Sequence, residues 1–182
     1  MNPTATDFDA AHRSLSAVLD GVPCASWTNP SACEEWTARD VVGHLIATQR
    51  DFLSGRGVDL GDAPDVALDP AAAWRDHAKR VASAIGDDEL VATPYDSHFG
   101  PTTIGTTFEQ FYVWDMVVHR WDVARAVGSD AGLSEDELDR ISTGADSFGD
   151  ALYMDGICRP AVPVPEDADR TSQVLARLGR RV

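Results

Sequence analysis

Cysteine is scarce in this 182-residue chain, with Cys24, Cys33 and Cys158 the only three. The number is odd and no two are spaced as CxxC, which argues against a disulfide framework and against a cysteine zinc site. All three are read as reduced, structural thiols. Cys33 stands just ahead of Glu34 and Glu35, and adjacent acids raise a thiol pKa, so it is not expected to be reactive. Basic residues are also few, 15 against 30 acidic ones, and Lys79 is the sole lysine. A net charge of −15 repels phosphate polyanions and anionic lipid, so neither nucleic acid nor a membrane is an expected partner. No apolar run approaches the ~20 residues that a membrane-spanning helix requires. The opening sequence MNPTATDFDAAHRSL lacks the basic and apolar regions of a signal peptide, and a cytoplasmic protein is expected.

Alternating strand patterns are missing too, and helical periodicity takes their place. Phe8, Ala11, Leu15, Val18 and Leu19 predict a helix over 7–20, with Asp7 as N-cap and Gly21 as its stop. Thr37 followed by Asp40 is a capping-box signature for a second helix whose apolar face holds Val41, Val42, Leu45, Ile46, Phe52 and Leu53. A third covers about 70–86, with Trp74, Ala78, Val81 and Ile85 on one face. A fourth runs over about 105–127 and stops at Gly128, with Trp114 and Trp121 as core anchors. Ser134 and Glu137 begin a helix reaching about 148, and a last short one fits about 168–178. Residues 56–69 read as loop, and the Gly- and Pro-bearing stretch after 87 as a long connection with short strand-like pieces near 90–95. The pattern predicts an all-α chain: a four-helix bundle with additional short C-terminal helices. One domain is expected over 1–182, its core about 7–128 and a C-terminal extension about 129–182.

Bundles build metal sites from side chains on facing helices. Asp115 and His119 stand four apart, so they share a helix face and can converge on one ion. The same pair would also serve as a helical ion pair. Asp122, three residues on, extends that face as a ligand or as an acceptor orienting one. His44 borders the buried face of the second helix and is the best third candidate. His12 reads as near the surface, His77 as lying on a charged side beside Arg75 and Asp76, and His98 as a loop residue able to approach a site mouth. Glu34, Glu35 and the acids of 134–139 read as solvated faces. Arg120 and Arg125 flank the acid–histidine face and read first as surface ion-pair partners.

The stretches CEEWTARDVVGHLIATQRDFL and DMVVHRWDVARAVG resemble the metal-binding domain of mycothiol-dependent maleylpyruvate isomerases, in the actinobacterial branch of the DinB-like superfamily. Trp36, Thr37, Arg39, Asp40, His44 and Leu45 match the first motif, and Asp115, His119, Trp121, Asp122, Ala124, Ala126 and Gly128 the second. The ending VPVPEDADRTSQVLARLGRR looks like that of an actinobacterial metal-binding subfamily. The resemblance implies a DinB-like four-helix bundle holding a divalent metal, usually zinc, on His44, Asp115 and His119, with water or a thiol completing the shell. Nickel, iron or manganese also suit two histidines and a carboxylate. Asp115 stands where the isomerase carries glutamate, so the ion is expected closer to the helix, or bound to Asp115 through water. The isomerase has a further C-terminal domain where only about 50 residues follow Gly128 here, so maleylpyruvate isomerisation itself is not expected.

The implied function is a thiol-using transferase or isomerase with mycothiol as co-substrate. Asp122 would act from behind the ligands, as orienter or proton acceptor, and Arg39, Arg120 or Arg125 would engage carboxylates of the thiol or substrate. The alternative is a non-catalytic metal- or small-ligand-binding protein, such as a stress sensor, with the same fold. Expected partners are a small-molecule thiol and an electrophilic substrate, with a second copy of the chain as a further candidate.

Overall fold

The computed structural model describes residues 1–33, 35–154 and 156–181. Helix α1 spans Pro3–Asp20, α2 Ala38–Ser54 and α3 Pro70–Ile85. A short α4, Asp88–Ala92, leads into a β-hairpin of β1, Pro94–Ser97, and β2, Gly100–Thr103. One turn of α5, Ile104–Thr107, continues through a π-helical stretch, Phe108–Val113, into α6, Trp114–Val127. Helices α7, Glu135–Phe148, and α8, Arg170–Arg177, follow. The fold is all-α apart from the hairpin. Helices α1, α2, α3 and α6 form the bundle, with α1 and α2 each against both α3 and α6, while α7 packs on α6 and α8 on α7. No helix among the described residues is long and apolar enough to cross a membrane.

Local signals set most boundaries. The Thr37 side chain accepts the Asp40 amide while the Asp40 carboxylate accepts the Thr37 amide, and Ser134 with Glu137 does the same for α7. Such caps satisfy N–H groups that the first helical turn leaves without partners. Helix α1 begins earlier than periodicity predicts. Asn2 is its N-cap, Pro3 occupies the first turn, and the Asn2 amide also donates to the Ile85 carbonyl at 3.0 Å, tying the start of α1 to the end of α3. The predicted connection after 87 contains α4 and the hairpin, in which Pro94 pairs with Thr103 and Ser97 with Gly100.

Two side chains sit differently from their predicted places. His77 is fully buried, with Nε2 3.0 Å from the equally buried Gln49 Oε1. It lies three residues after Trp74 and four before Val81, hence on the buried stripe, whereas Arg75 and Asp76 point outward. Trp121 is only half-buried, so of these two tryptophans only Trp114 lies in the core. His12 is half-buried and stacked on Phe8.

The Trp114 indole donates to the Ile141 carbonyl at 3.1 Å and abuts Gly144 on α7. A β-carbon at Gly144 would fall 2.2 Å from Trp114 Nε1, so the two helices approach this closely only because that side chain is missing. Gly144→Ala is expected to lower the unfolding free energy by about 1–3 kcal/mol, the usual cost of overpacking. Urea titration followed by tryptophan fluorescence checks this, and an unchanged midpoint would mean that α7 shifts freely.

Candidate metal centre

The site is built where the loop before α2, the first half of α2 and the middle of α6 meet. The loop is tied down at both ends. The Asn29 amide donates to the Ala126 carbonyl at 3.0 Å, Pro30 and Thr37 form a β-bridge, and the Ser31 amide donates to the Trp36 carbonyl. This presents Cys33 and Trp36 toward α6. His44 stands at the edge of the buried face of α2, with the Trp36 ring 4.7 Å from its own. On α6, Asp115, His119 and Asp122 follow at the i, i+4, i+7 spacing that aligns them along one stripe.

The Asp115 carboxylate is the meeting point. Its Oδ2 lies 3.1 Å from His44 Nε2 and its Oδ1 3.2 Å from His119 Nε2. One donor atom from each of His44, Asp115 and His119 falls within 4.8 Å of the others. Donors bound ~2.0–2.1 Å from a tetrahedral ion stand roughly 3.3–3.4 Å apart, so two imidazole nitrogens and a carboxylate at these separations fit a divalent metal. The shorter aspartate arm reaches the histidines from both of its oxygens.

On the other edge of its ring, His119 Nδ1 lies 2.8 Å from Asp122 Oδ2. That bond leaves Nε2 directed at Asp115, the arrangement that orients metal-binding imidazoles elsewhere. Asp122 is fully buried and is held by Arg180, whose Nε donates to Oδ1 at 3.2 Å and Nη2 to Oδ2 at 2.9 Å. Cys33 Sγ lies 3.3 Å from the same Oδ2, and Cys158 Sγ 3.8 Å from Arg180 Nη1. Cys33, His119 and Asp122 are therefore also grouped closely enough to ligate. A guanidinium already balances that carboxylate, and a second cation there would have to displace a buried ion pair.

Burial alone would raise the Asp115 and Asp122 carboxyls and lower His119. The partners reverse each effect. His119 and His44 hold Asp115 well below the carboxylate range, Arg180 and His119 do the same for Asp122, and the two acids hold His119 well above the imidazole range. Free of metal, His119 is thus an imidazolium donating to one carboxylate from each nitrogen. Burial pushes the Tyr112 phenol, on the wall above Asp115, up to about 12.

A cavity of about 640 Å³ opens over this floor, with Cys33, Trp36, His44, Asp115, His119 and Arg180 among its lining. None of the three arginines expected to engage a carboxylate is on its described wall. Arg120 is buried on the other side of α6, where both Nη atoms reach the Glu137 carboxylate at 2.7 Å. Arg125 is exposed, and Arg39 is half-buried in the first turn of α2. The arginines on the wall are Arg159 and Arg180, from the C-terminal segment. His98 is exposed at the hairpin tip, and Glu35 is exposed with φ 67°. Glu34 lies outside the described residues. Sequence spacing had no means of finding Cys33, Cys158 or Arg180, whose places depend on loop closure and on how the tail folds back. A more open groove of about 600 Å³ lies between α7 and the π-helical stretch, where Arg140 already pairs with Asp7.

A family model described as the mycothiol maleylpyruvate isomerase N-terminal domain matches residues 8–124. Two Mycobacterium tuberculosis proteins, the uncharacterized protein MT0763 of strain CDC 1551 and the uncharacterized protein Rv0738 of strain H37Rv, are each 24% identical over 180 residues, covering 94% of either chain. No solved structure matches.

Proposed function

The chain belongs to the mycothiol maleylpyruvate isomerase N-terminal domain family, and we propose that it binds a divalent metal, zinc first among them, for a thiol-dependent transferase or isomerase reaction. The proposed ligands are His44, Asp115 and His119. Nickel, iron and manganese suit the same donors. Mycothiol is the proposed co-substrate, an electrophilic small molecule its partner, and the cytoplasm the compartment. The observation that carries the reading is the convergence of donors from two facing helices on one point, at the floor of a cavity, with the His119 ring oriented from behind by a buried Asp122–Arg180 pair.

A bound divalent cation would supply Lewis acidity, lowering the pKa of a coordinated thiol or water into the neutral range. The protein's own groups do the rest. Asp122 keeps His119 Nε2 pointed at the ligand position. The Trp36 ring packs against that of His44 at a tilt of 41°, with centroids 4.7 Å apart. Tyr112 remains protonated through the neutral range and offers a hydrogen-bond donor on the wall. His119 has to release its Nε2 proton to act as a ligand, so metal uptake is expected to weaken as pH falls.

The test begins with chain purified without a histidine tag, loaded with zinc and dialysed. Elemental analysis is expected to find about one zinc per chain in the wild type and background levels in His44→Ala/His119→Ala. Substoichiometric metal unchanged by the double substitution would remove the reading. Titrating mycothiol against the zinc-loaded protein, with ultraviolet thiolate absorbance followed against pH, then separates a thiol-using enzyme from a binding protein. The enzyme is expected to lower the thiol pKa, and the binder to leave it unmoved.

A further inference from the structure

Of the six large hydrophobic side chains that stand well exposed among the described residues, four gather around one cavity. Tyr153 at 42%, Met154 at 56% and Ile157 at 38% all lie on the wall of the cavity above His44 and Asp115. Phe99, 62% exposed at the hairpin tip, stacks on Phe111 of that wall, with centroids 5.9 Å apart and planes within 19°. Further in, Phe111 meets Phe148 edge-on at 5.1 Å and Phe148 meets Trp114 at a tilt at 5.5 Å, all three on the cavity wall. The polar donors form the floor and the rings form the approach. Concentrated apolar exposure on a concave surface marks a binding site, and about 640 Å³ suits one small molecule.

We infer that the cavity takes an amphipathic small molecule, with an aromatic body along the Phe99–Phe111–Phe148 rings and a compact polar head on the His44–Asp115–His119 floor. The inference rests on reading this cavity as the functional site, and it deepens that reading by naming the class of molecule. Small, wholly polar acids would leave the ring wall in water. Stacking and burial of one phenyl group give the aromatic ligand its advantage.

The experiment uses the full chain stripped of metal with chelator, so that its outcome does not depend on metal binding. Quenching of tryptophan fluorescence, with Trp36 and Trp114 on the wall, compares 4-phenylbutyrate with butyrate, which share a head and differ by a ring. The expected result is a preference for the aryl acid of about tenfold or more, falling at least severalfold in Phe99→Ser and in Met154→Ser/Ile157→Ser. These side chains are exposed, and circular dichroism verifies that both variants are folded. Equal affinities for the two acids would overturn the inference, as would a preference that both variants retain. Light scattering of wild type and Phe99→Ser covers the other occupant. A dimer that the substitution dissolves would assign the rings to a second copy of the chain and overturn the small-molecule proposal. A metal-free chain that fails to discriminate, with zinc binding intact, sinks this inference alone.

Discussion

Asp122→Asn is expected to lower the unfolding free energy by about 3–5 kcal/mol, as when one partner of a buried ion pair is removed. The carboxylate is fully buried and receives two bonds from Arg180 and one from His119. The asparagine keeps the shape and removes the charge. Arg180, itself nearly inaccessible, is then left a cation without its counter-ion. In the metal-free chain the His119 imidazolium sits beside it. Urea unfolding with chelator present measures the loss. The double variant Asp122→Asn/Arg180→Met is expected to recover much of it, because neither charge then remains buried alone. Zinc competition should also show a roughly 10–100-fold weaker affinity in the single variant, the usual effect of removing the group that orients a metal-binding histidine. A stability loss below about 1 kcal/mol would mean that water reaches Arg180 and that the pair is not sealed.

Acid is expected to weaken the fold through His77 well before the carboxylates titrate. Burial first, then the charges of Arg50 and Arg80, lowers its pKa from 6.5 to about 4. Above pH 6.5 the ring is neutral in both folded and unfolded chains and contributes no pH dependence. Below that value the unfolded chain takes up a proton that the folded chain refuses until about pH 4. Stability therefore falls with pH across this window, by about 3 kcal/mol in total. His119 acts in the opposite sense. Its raised pKa gives stability that is fully present below 6.5 and is lost only as pH rises through the folded value, so it adds no slope in the same window. Metal-free wild type unfolded at pH 7 and pH 4 should lose about 3 kcal/mol more than His77→Gln does over the same interval. Parallel losses would show that His77 is protonated in the folded state.

The sequence was most readable where spacing and caps repeat a local rule. Thr37 with Asp40 and Ser134 with Glu137 mark helix starts that the structure reproduces as full capping boxes. The alignment of Asp115, His119 and Asp122 followed from helical geometry, and the approach of His44 from the facing helix from bundle logic and family resemblance. His77 was misplaced because its charged neighbours were weighed above its spacing from Trp74 and Val81. The π-helical stretch Phe108–Val113 was hidden inside what reads as one continuous amphipathic helix, since a widened turn has no composition of its own. Arg39, Arg120 and Arg125 were chosen for charge near the motif. Charge does not say which way a side chain leaves a helix, and Arg120 leaves toward Glu137.

The family match covers residues 8–124, yet the electrostatics of the site extend to Arg180. The C-terminal segment supplies the guanidinium bonded to Asp122 and places Cys158 and Arg159 on the cavity wall. The matched segment holds the proposed ligands, and the tail supplies a counter-charge to the acid behind them. A graft that moved residues 8–124 onto another C-terminus would carry over the Asp115–His119–Asp122 stripe without the guanidinium that Arg180 brings to the buried Asp122. The unit to transplant is therefore set by charge neutrality, and it is longer than the segment that the family match delimits.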